Sequence, residues 1–448
     1  MLAAAGAAAL AIWLTTAWVL DVADDVPPGT ERAKIRVDAV RTGLAAGGGA
    51  GAAVGLMLAF RRQRHAELAT ALEQLDATER RITELYNAAA EQLASDKAPV
   101  RLTALYTLER LANDNPRHQQ TIVNIICAYL RMPYTPPPAY RPGPEEEHRE
   151  RARRNAARYR AARDLRPAPT EPKGGGPDPH EEHQVRLAAQ RLLSTHLQPT
   201  AEHHWAEISL DLTGATLTSF ALTGCTVYYA NFSGATFSGD TWFDGTTFSG
   251  DADFGWATFS RDAWFYKATF SRGARFVEAT FSRDVQFVGT TLSGETGFGG
   301  ANFSGDARFD RTTFSRDARF GEATFSGDTW FDGATFSRDA QFSRATFSGY
   351  AGFGEATFCG DAQFVRATFS GEAWFEEATF SGDAQFVRAA FSGRAQFGRA
   401  RFEARVAMTT ATVADTAGGH VPPLGWRIEP SQGGEGRFVR DPDPASGP

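Results

Sequence analysis

The chain has little of several things that enzymes and binding modules lean on. Its 448 residues include 3 Cys and 4 Met. Cys127, Cys225 and Cys359 are too few and too widely separated for a disulfide framework, a zinc ribbon or a Cys-x-x-Cys redox pair. Such sparse use fits a reducing compartment. There is no basic excess: 46 Lys and Arg stand against 53 Asp and Glu, a net charge of −7, which excludes a global positive field for nucleic acid. Histidine is absent between His204 and His420. His180 and His183 bracket Glu181 and Glu182 without the zinc-protease spacing, and His203 and His204 have no ligand-spaced Cys or carboxylate beside them. No Ser/His/Asp set appears, and the run GGGAGAAVG lacks the strand that a phosphate loop needs. These absences leave no candidate catalytic, metal or cofactor residue, so the chain is expected to be a non-enzyme without cofactor.

Uncharged runs are present at the N-terminus. Residues 2–20 and 43–60 carry no charge, and each approaches the roughly 20 apolar residues a membrane-crossing helix needs. Trp13 and Trp18 suit an interface, and Arg61, Arg62 and Arg64 follow the second run directly. The expectation is a two-helix transmembrane hairpin over 1–60 with the loop at 21–42 outside. The basic cluster places the rest of the chain in the cytoplasm, which makes this a multi-pass protein of the cell membrane. Gly47, Gly51 and Gly55 share one helix face, as do Ala3, Ala7 and Ala11, a spacing that lets helices approach closely in lipid; Ala/Gly-rich composition can also produce it by chance.

Positions 68, 72, 75, 79, 82, 86, 89 and 93 hold Leu, Leu, Leu, Glu, Ile, Tyr, Ala and Leu. They form a heptad seam with one polar break at Glu79. A juxtamembrane helix over 61–95 follows, and residues 68–93 are a candidate homo-oligomer contact or a face packed on the next helices. Residues 96–132 read as a helical hairpin, with Pro99 in a first turn and Cys127 in its core. Residues 133–183, proline-rich and then highly charged, read as a disordered linker. Its Arg run reads first as a solvated charge run; contact with anionic lipid or nucleic acid is the other reading.

The remaining signal is phenylalanine, 34 copies against 4 Met. Residues 378–388 read ATFSGDAQFVR and residues 356–366 read ATFCGDAQFVR. The period is 11: two five-residue units and one extra residue, usually Asp. From Phe243 to Phe402 the aromatic centres alternate steps of five and six, with Leu292 as the one replacement. A chain that turns every four or five residues cannot bury a core within one unit; stacked coils can. The aromatic centre and the small residue two before it are therefore expected to point inward.

These units resemble the A-(D/N)-L-x-x units of pentapeptide-repeat proteins, in a Phe-centred form. The N-terminal half, with VRLTALYTLERLANDNP, resembles membrane-anchored pentapeptide-repeat proteins of actinobacterial type. The resemblance implies a mainly β fold, a right-handed quadrilateral β-helix with four units per coil, preceded by the α-helical membrane hairpin and juxtamembrane helices. With the extra Asp at corners the coil has 22 residues, and about nine coils at roughly 4.8 Å make a rod about 43 Å long. The β-helix is expected over 184–406, capped at its start by the amphipathic segment 185–197. A C-terminal cap and tail fill 407–448, with 407–426 covering the last coil.

Stacking at 22 residues sorts the outward positions by face. One face collects Trp242, Trp264, Gln286, Arg308, Trp330, Gly352, Trp374 and Gln396, with Tyr266, Asp244, Asp310, Asp332 and Glu376 beside them. The opposite face carries Arg344, Arg366 and Arg388 in one column. The other two faces are nearly uniform Thr and Ser. Tryptophan flanked by carboxylates marks a recognition surface, so the first face is the candidate partner-binding site; repeat drift is the alternative. Corner Asp columns (Asp262, Asp284, Asp306, Asp328; Asp317, Asp339, Asp361, Asp383) are expected to hydrogen-bond the turn backbone, with Arg261, Arg283, Arg316 and Arg338 relieving their repulsion. The function expected is a membrane-anchored scaffold whose cytoplasmic β-helix binds an unknown protein. Two alternatives stand beside it: a DNA-mimic that binds topoisomerase, as in some proteins of the resembled family, and a purely structural envelope-organising rod. The mixed charge of the repeats makes nucleic-acid mimicry the weaker of these.

Overall fold

The computed structural model describes residues 2–24, 29–137, 178–431 and 434–441. Most of the expected linker lies outside them. The chain divides into two units, Met1–Leu85 and Tyr86–Pro448.

The first unit is helical. Helix α1 spans Leu2–Asp24, and α2 spans Thr30–Leu93, running on past the unit boundary. The expected loop at 21–42 is therefore mostly helix. Thr30–Arg41 holds no Gly or Pro to stop a helix. Among the described residues no helix is long and apolar enough to cross a membrane, so the two-span hairpin is not recovered. Helix α2 runs on from its uncharged stretch into the charged residues that follow Phe60. α1 and α2 come close at Gly43, where an added Cβ would lie 2.8 Å from Thr16 Oγ1. Gly55 has open space around it, while the side-chain positions of Gly47, Gly51, Ala3, Ala7 and Ala11 lie outside the described set. Leu68, Leu72 and Leu75 of the heptad seam are exposed.

The second unit is a β-solenoid under a helical cap. Four parallel sheets form its sides. The chain visits them in fixed order: a tryptophan face, a threonine face, a glutamine face and a second threonine face. The tryptophan sheet has 8 strands and the glutamine sheet 10; the threonine sheets have 9 and 12, the last count including a C-terminal hairpin. Early registers pair residues 20 apart, such as Leu210 with Ala230. From Ala230 with Ala252 onward the offset is 22. The expected 22-residue coil thus holds after a first coil of 20, before the extra corner residue enters.

The alternation within each unit explains the interior. In the strand Ala263–Trp264 the alanine is buried and the tryptophan faces out; in Thr269–Phe270 the phenylalanine is buried. Phenylalanines one coil apart stack: Phe309 lies 5.0 Å from Phe287 and 4.7 Å from Phe331, rings nearly parallel. Across the coil it meets Phe298 and Phe320 edge-on at 5.5 Å. Such pairs add roughly 0.5–1.5 kcal/mol each beyond burial. Two kinds of corner alternate. One is a tight turn whose third residue has positive φ, as at Arg344 (59°), Arg366 (58°) and Arg388 (59°), closed by bonds such as Ala345 N–H to Phe342 O. The other carries the extra residue, and there Asp Oδ1 accepts the backbone N–H of the equivalent residue one coil on, as Asp361 N–H to Asp339 (3.1 Å) and Asp383 N–H to Asp361 (3.0 Å). The expected turn-backbone role of these aspartates holds, directed to the next coil. Among the described residues Arg261, Arg283, Arg316 and Arg338 pair with none of them.

The cap differs from the reading of 96–132 as a separate module joined through a linker. Helices α3 (Ala98–Asp114), α4 (Gln119–Arg131) and α5 (Pro179–His196) share one apolar core with the first coils, joined by Ala89 and Leu93 from the end of α2. Cys127 is buried in it, and burial pushes its thiol up to about 12. Two glutamines end the sheets. Gln120 donates to Ser209 O and accepts from Ser209 N–H. Gln190 does the same at Thr218. Each side-chain amide replaces the peptide of a missing strand, which leaves no raw edge there.

A buried ionic cluster ties the cap together. Arg186 donates to Glu182 (2.7 Å) and to the carbonyls of Leu130 and Met132 (both 2.9 Å), and it lies over the rings of Tyr129 and Tyr134. Arg101 lies 3.2 Å from Glu182. Tyr134 Oη is 2.9 Å from His183 Nδ1. The segments around Tyr134 and His183 are thereby held against each other.

At the far end, Val421 bridges to Gln396. Strands Trp426–Pro430 and Gly436–Arg440 then pair antiparallel with each other and onto Thr412–Val413. Phe438 packs 5.8 Å from Phe391. The C-terminal cover extends past residue 426, using residues expected to form a tail.

Candidate interaction face

The tryptophan sheet brings its expected residues into register. Trp264 pairs with Trp242 and Gln286, and Trp330 with Arg308 and Gly352, which in turn pairs with Trp374. The indoles of Trp242 and Trp264 stack at 5.6 Å and 6°. The guanidinium of Arg308 sits 5.2 Å from the Trp330 ring. All four tryptophans are half-buried rather than fully exposed.

Every acid assigned to this face has an intramolecular partner. Asp244 Oδ1 accepts from Tyr266 N–H (3.0 Å) and Asp332 Oδ1 from Gly354 N–H (2.7 Å). Asp310 pairs with Arg308 (3.1 Å) and Glu376 with Arg399 (2.7 Å). Burial raises both Asp244 and Asp332 above the ordinary carboxyl value, against the lowering effect of those backbone bonds. Tyr266 is 43% exposed, with Lys267 over its ring at 4.9 Å.

The face is not a uniform stripe. Trp242, Trp264, Asp244 and Tyr266 form one patch, and Tyr266 also lines the groove that continues from it. Further along, a groove of about 650 Å³ is lined among others by Arg308, Asp310, Asp332, Tyr350, Trp374 and Glu376. Tyr350 is the residue that sequence reasoning missed. It occupies the corner place held by Asp328 one coil before and Glu372 one coil after. Its ring lies over Gly352, where an added Cβ would come within 2.7 Å of Tyr350 Cε1. Burial, with Asp332, Glu372 and Asp328 nearby, pushes its phenol up to about 12. The pairing of an aromatic in the acid column with a glycine in the tryptophan column was the available signal. Trp256, 54% exposed, stands on another corner and bonds Glu278.

The opposite sheet carries Gln341, Gln363 and Gln385 in register, and the Arg344, Arg366 and Arg388 column runs along its edge beside a groove of about 620 Å³. Among the described residues no group of His, Cys, Asp and Glu could hold a metal ion.

A four-sided parallel solenoid with a Phe interior and no assembled reactive cluster among its described residues is a structural and interaction fold. Residues 232–412 match the family model described as pentapeptide repeats (9 copies), through overlapping segments from 232–280 to 364–412. That region is a pentapeptide-repeat β-solenoid with Phe-rich units. Neither the curated proteins nor the solved structures give a match.

Proposed function

We propose that this chain is a non-enzymatic scaffold whose solenoid binds a partner protein through the tryptophan face. One observation carries the reading: on one of four flat sides, indoles replace the small or polar residues of the repeat, and one of them, Trp374, lines a groove that mixes aromatic, acidic and basic side chains. Aromatic and Arg side chains at a concavity are the usual anchors of protein recognition. The threonine faces offer no comparable anchors. The DNA-mimic reading gains nothing here, because the acids of this face are bonded to arginines or to backbone N–H rather than presented as a negative ladder.

Attachment at a membrane through residues 1–60 belongs to the same proposal. Its support is the uncharged runs, the basic cluster after residue 60, and the exposure of Trp13, Trp18, Leu56 and Phe60. Extraction of native membranes with alkaline carbonate tests it: the chain should stay in the pellet, and full release would contradict attachment by insertion.

Binding is tested by affinity capture from detergent-solubilised native membranes with two full-length baits, wild type and the variant carrying Trp242→Ala, Trp264→Ala, Trp330→Ala and Trp374→Ala. Full-length bait is needed because a fragment starting near residue 184 would lose α3 and α4 from the cap. A protein retained by the first bait and lost by the second is the expected result. Identical background on both would favour a purely structural rod.

A further inference from the structure

From the glutamine face we infer that two copies of this chain dock face to face with their solenoids parallel. The inference is independent of the tryptophan face, which lies on the opposite side and stays free in such a pair.

The observation is a threefold repeat of one rung. Residues 339–344 read DAQFSR, 361–366 read DAQFVR and 383–388 read DAQFVR. In each, Asp stands at the corner before the strand, Gln projects from the strand, and Arg stands at the turn after it. The three strands are consecutive and in register, Gln341 with Gln363 and Gln363 with Gln385. The face therefore has an acidic edge, an amide spine and a basic edge, one coil per rung. The coil before breaks the pattern with Asp317, Arg319 and Glu322, and the coil after with Arg405, Ala407 and Thr410.

The charges on the two edges are incompletely neutralised. Arg344 pairs with Glu322 (2.7 Å) and Asp383 with Arg405 (3.1 Å). Arg366 and Arg388 have no carboxylate partner among the described residues, and Asp339 and Asp361 have no cationic one. Three arginines stacked at a spacing of roughly 4.8 Å repel one another. Val365 and Val387 lie between them in the groove, so the basic edge has an apolar floor.

The charge pattern selects both occupant and orientation. A partner must offer carboxylates at the same one-coil pitch, set across the face from a matching cationic edge. A second copy of this face does so. Rotation by 180° about an axis along the rod, lying in the interface, brings Asp over Arg, Gln over Gln and Arg over Asp in every rung. Rotation about an axis across the rod brings Asp over Asp and Arg over Arg. Only the parallel, isologous pair is complementary. Exposed ion pairs are individually weak, so they set register and orientation, while the valine-floored groove supplies apolar contact. The exposed heptad leucines Leu68, Leu72 and Leu75 give a second, separate reason for the chain to self-associate.

The test is residue-specific cross-linking of the full-length chain. The background carries Cys359→Ser, since Cys359 is exposed while Cys127 and Cys225 are buried. Gln341→Cys, Gln363→Cys and Gln385→Cys are introduced singly and treated with a short bis-maleimide. The parallel pair predicts a cross-linked dimer from all three. A dimer from Gln363→Cys alone would indicate an antiparallel pair, and no dimer from any would mean that the face is unpaired; either overturns the inference. Gln286→Cys, on the tryptophan face, should give none, and equal linking there would overturn it as well. Adding Arg344→Glu, Arg366→Glu and Arg388→Glu should abolish the three links. That variant is expected to fold, because Glu322 already occupies the same column at positive φ (62°). Links that survive in folded triple variant would show that charge complementarity does not hold the pair.

Discussion

The solenoid interior and the helical cap solve the same problem by opposite means. The interior is periodic and almost wholly apolar: Phe and Ala at fixed places, each coil a template for the next. The cap is aperiodic and holds buried charge, with Arg101 and Arg186 both nearly inaccessible. A repeated unit can satisfy its backbone with the next copy of itself. The first coil has no predecessor, so individual side chains must take that place, as Gln120 and Gln190 do. Periodicity gives stability without specific partners, whereas termination requires them.

The largest effect should come from the interior. Phe309→Ala removes a ring stacked on both sides and is expected to cost about 3–5 kcal/mol, read as a lower urea midpoint for the whole unit. Arg186→Met comes next. It leaves the half-buried Glu182 with Arg101 and the Tyr129 hydroxyl and strips the Leu130 and Met132 carbonyls of their donor. A loss of about 3 kcal/mol is expected, and the residues from 132 to 137 should become sensitive to protease before the solenoid unfolds. If Arg186→Met lowered the global midpoint without that local opening, the contrast between the two regions would fail.

Gln190→Ala should cost about 1–3 kcal/mol, the price of leaving Thr218 N–H and C=O unpaired under the cap. A thermal scan against Gln363→Ala, a glutamine on an open face, separates the edge-ending role from a generic surface change. The smallest effect concerns Asp332. Its folded carboxyl titrates above the ordinary 3.8 because of burial, so the ionised form is the strained one. Stability associated with this group is present at low pH and is lost as pH rises through the interval above 3.8. Asp332→Asn keeps an oxygen for Gly354 N–H and should raise the melting temperature near neutral pH. The gain should vanish once pH falls below 3.8. A gain independent of pH would locate the effect elsewhere.

How much of this was legible in the sequence follows the same division. The Phe spacing gave the 22-residue stack, the inward and outward positions and the assignment of each tryptophan to one face, because a solenoid converts sequence period directly into spatial register. The helices of the cap were legible, and so was the covering role of 185–197, but the contacts that join α3 and α4 to the first coils were not. Gln120 meets Ser209, and Arg186 meets Leu130, across a stretch of unrelated composition, and no periodicity announces such contacts. The reading of 133–183 as a linker gave no sign that Tyr134 and His183, near its two ends, meet in the cap. Tyr350 went unassigned within the candidate face because it interrupts a column of corner acids, and a search for repeated features passes over interruptions. The N-terminal runs were legible as helices, and among the described residues none is long and apolar enough to cross a membrane.

The most direct test of the account is a titration of the captured partner against the full-length chain, following tryptophan emission. The account predicts an emission change on binding and affinity at least about tenfold weaker, near 1.4 kcal/mol, when Trp330 and Trp374 are both changed to Ala. It also predicts unchanged affinity for the chain with Arg344, Arg366 and Arg388 changed to Glu. Equal affinity for the wild-type and tryptophan-depleted chains would contradict it.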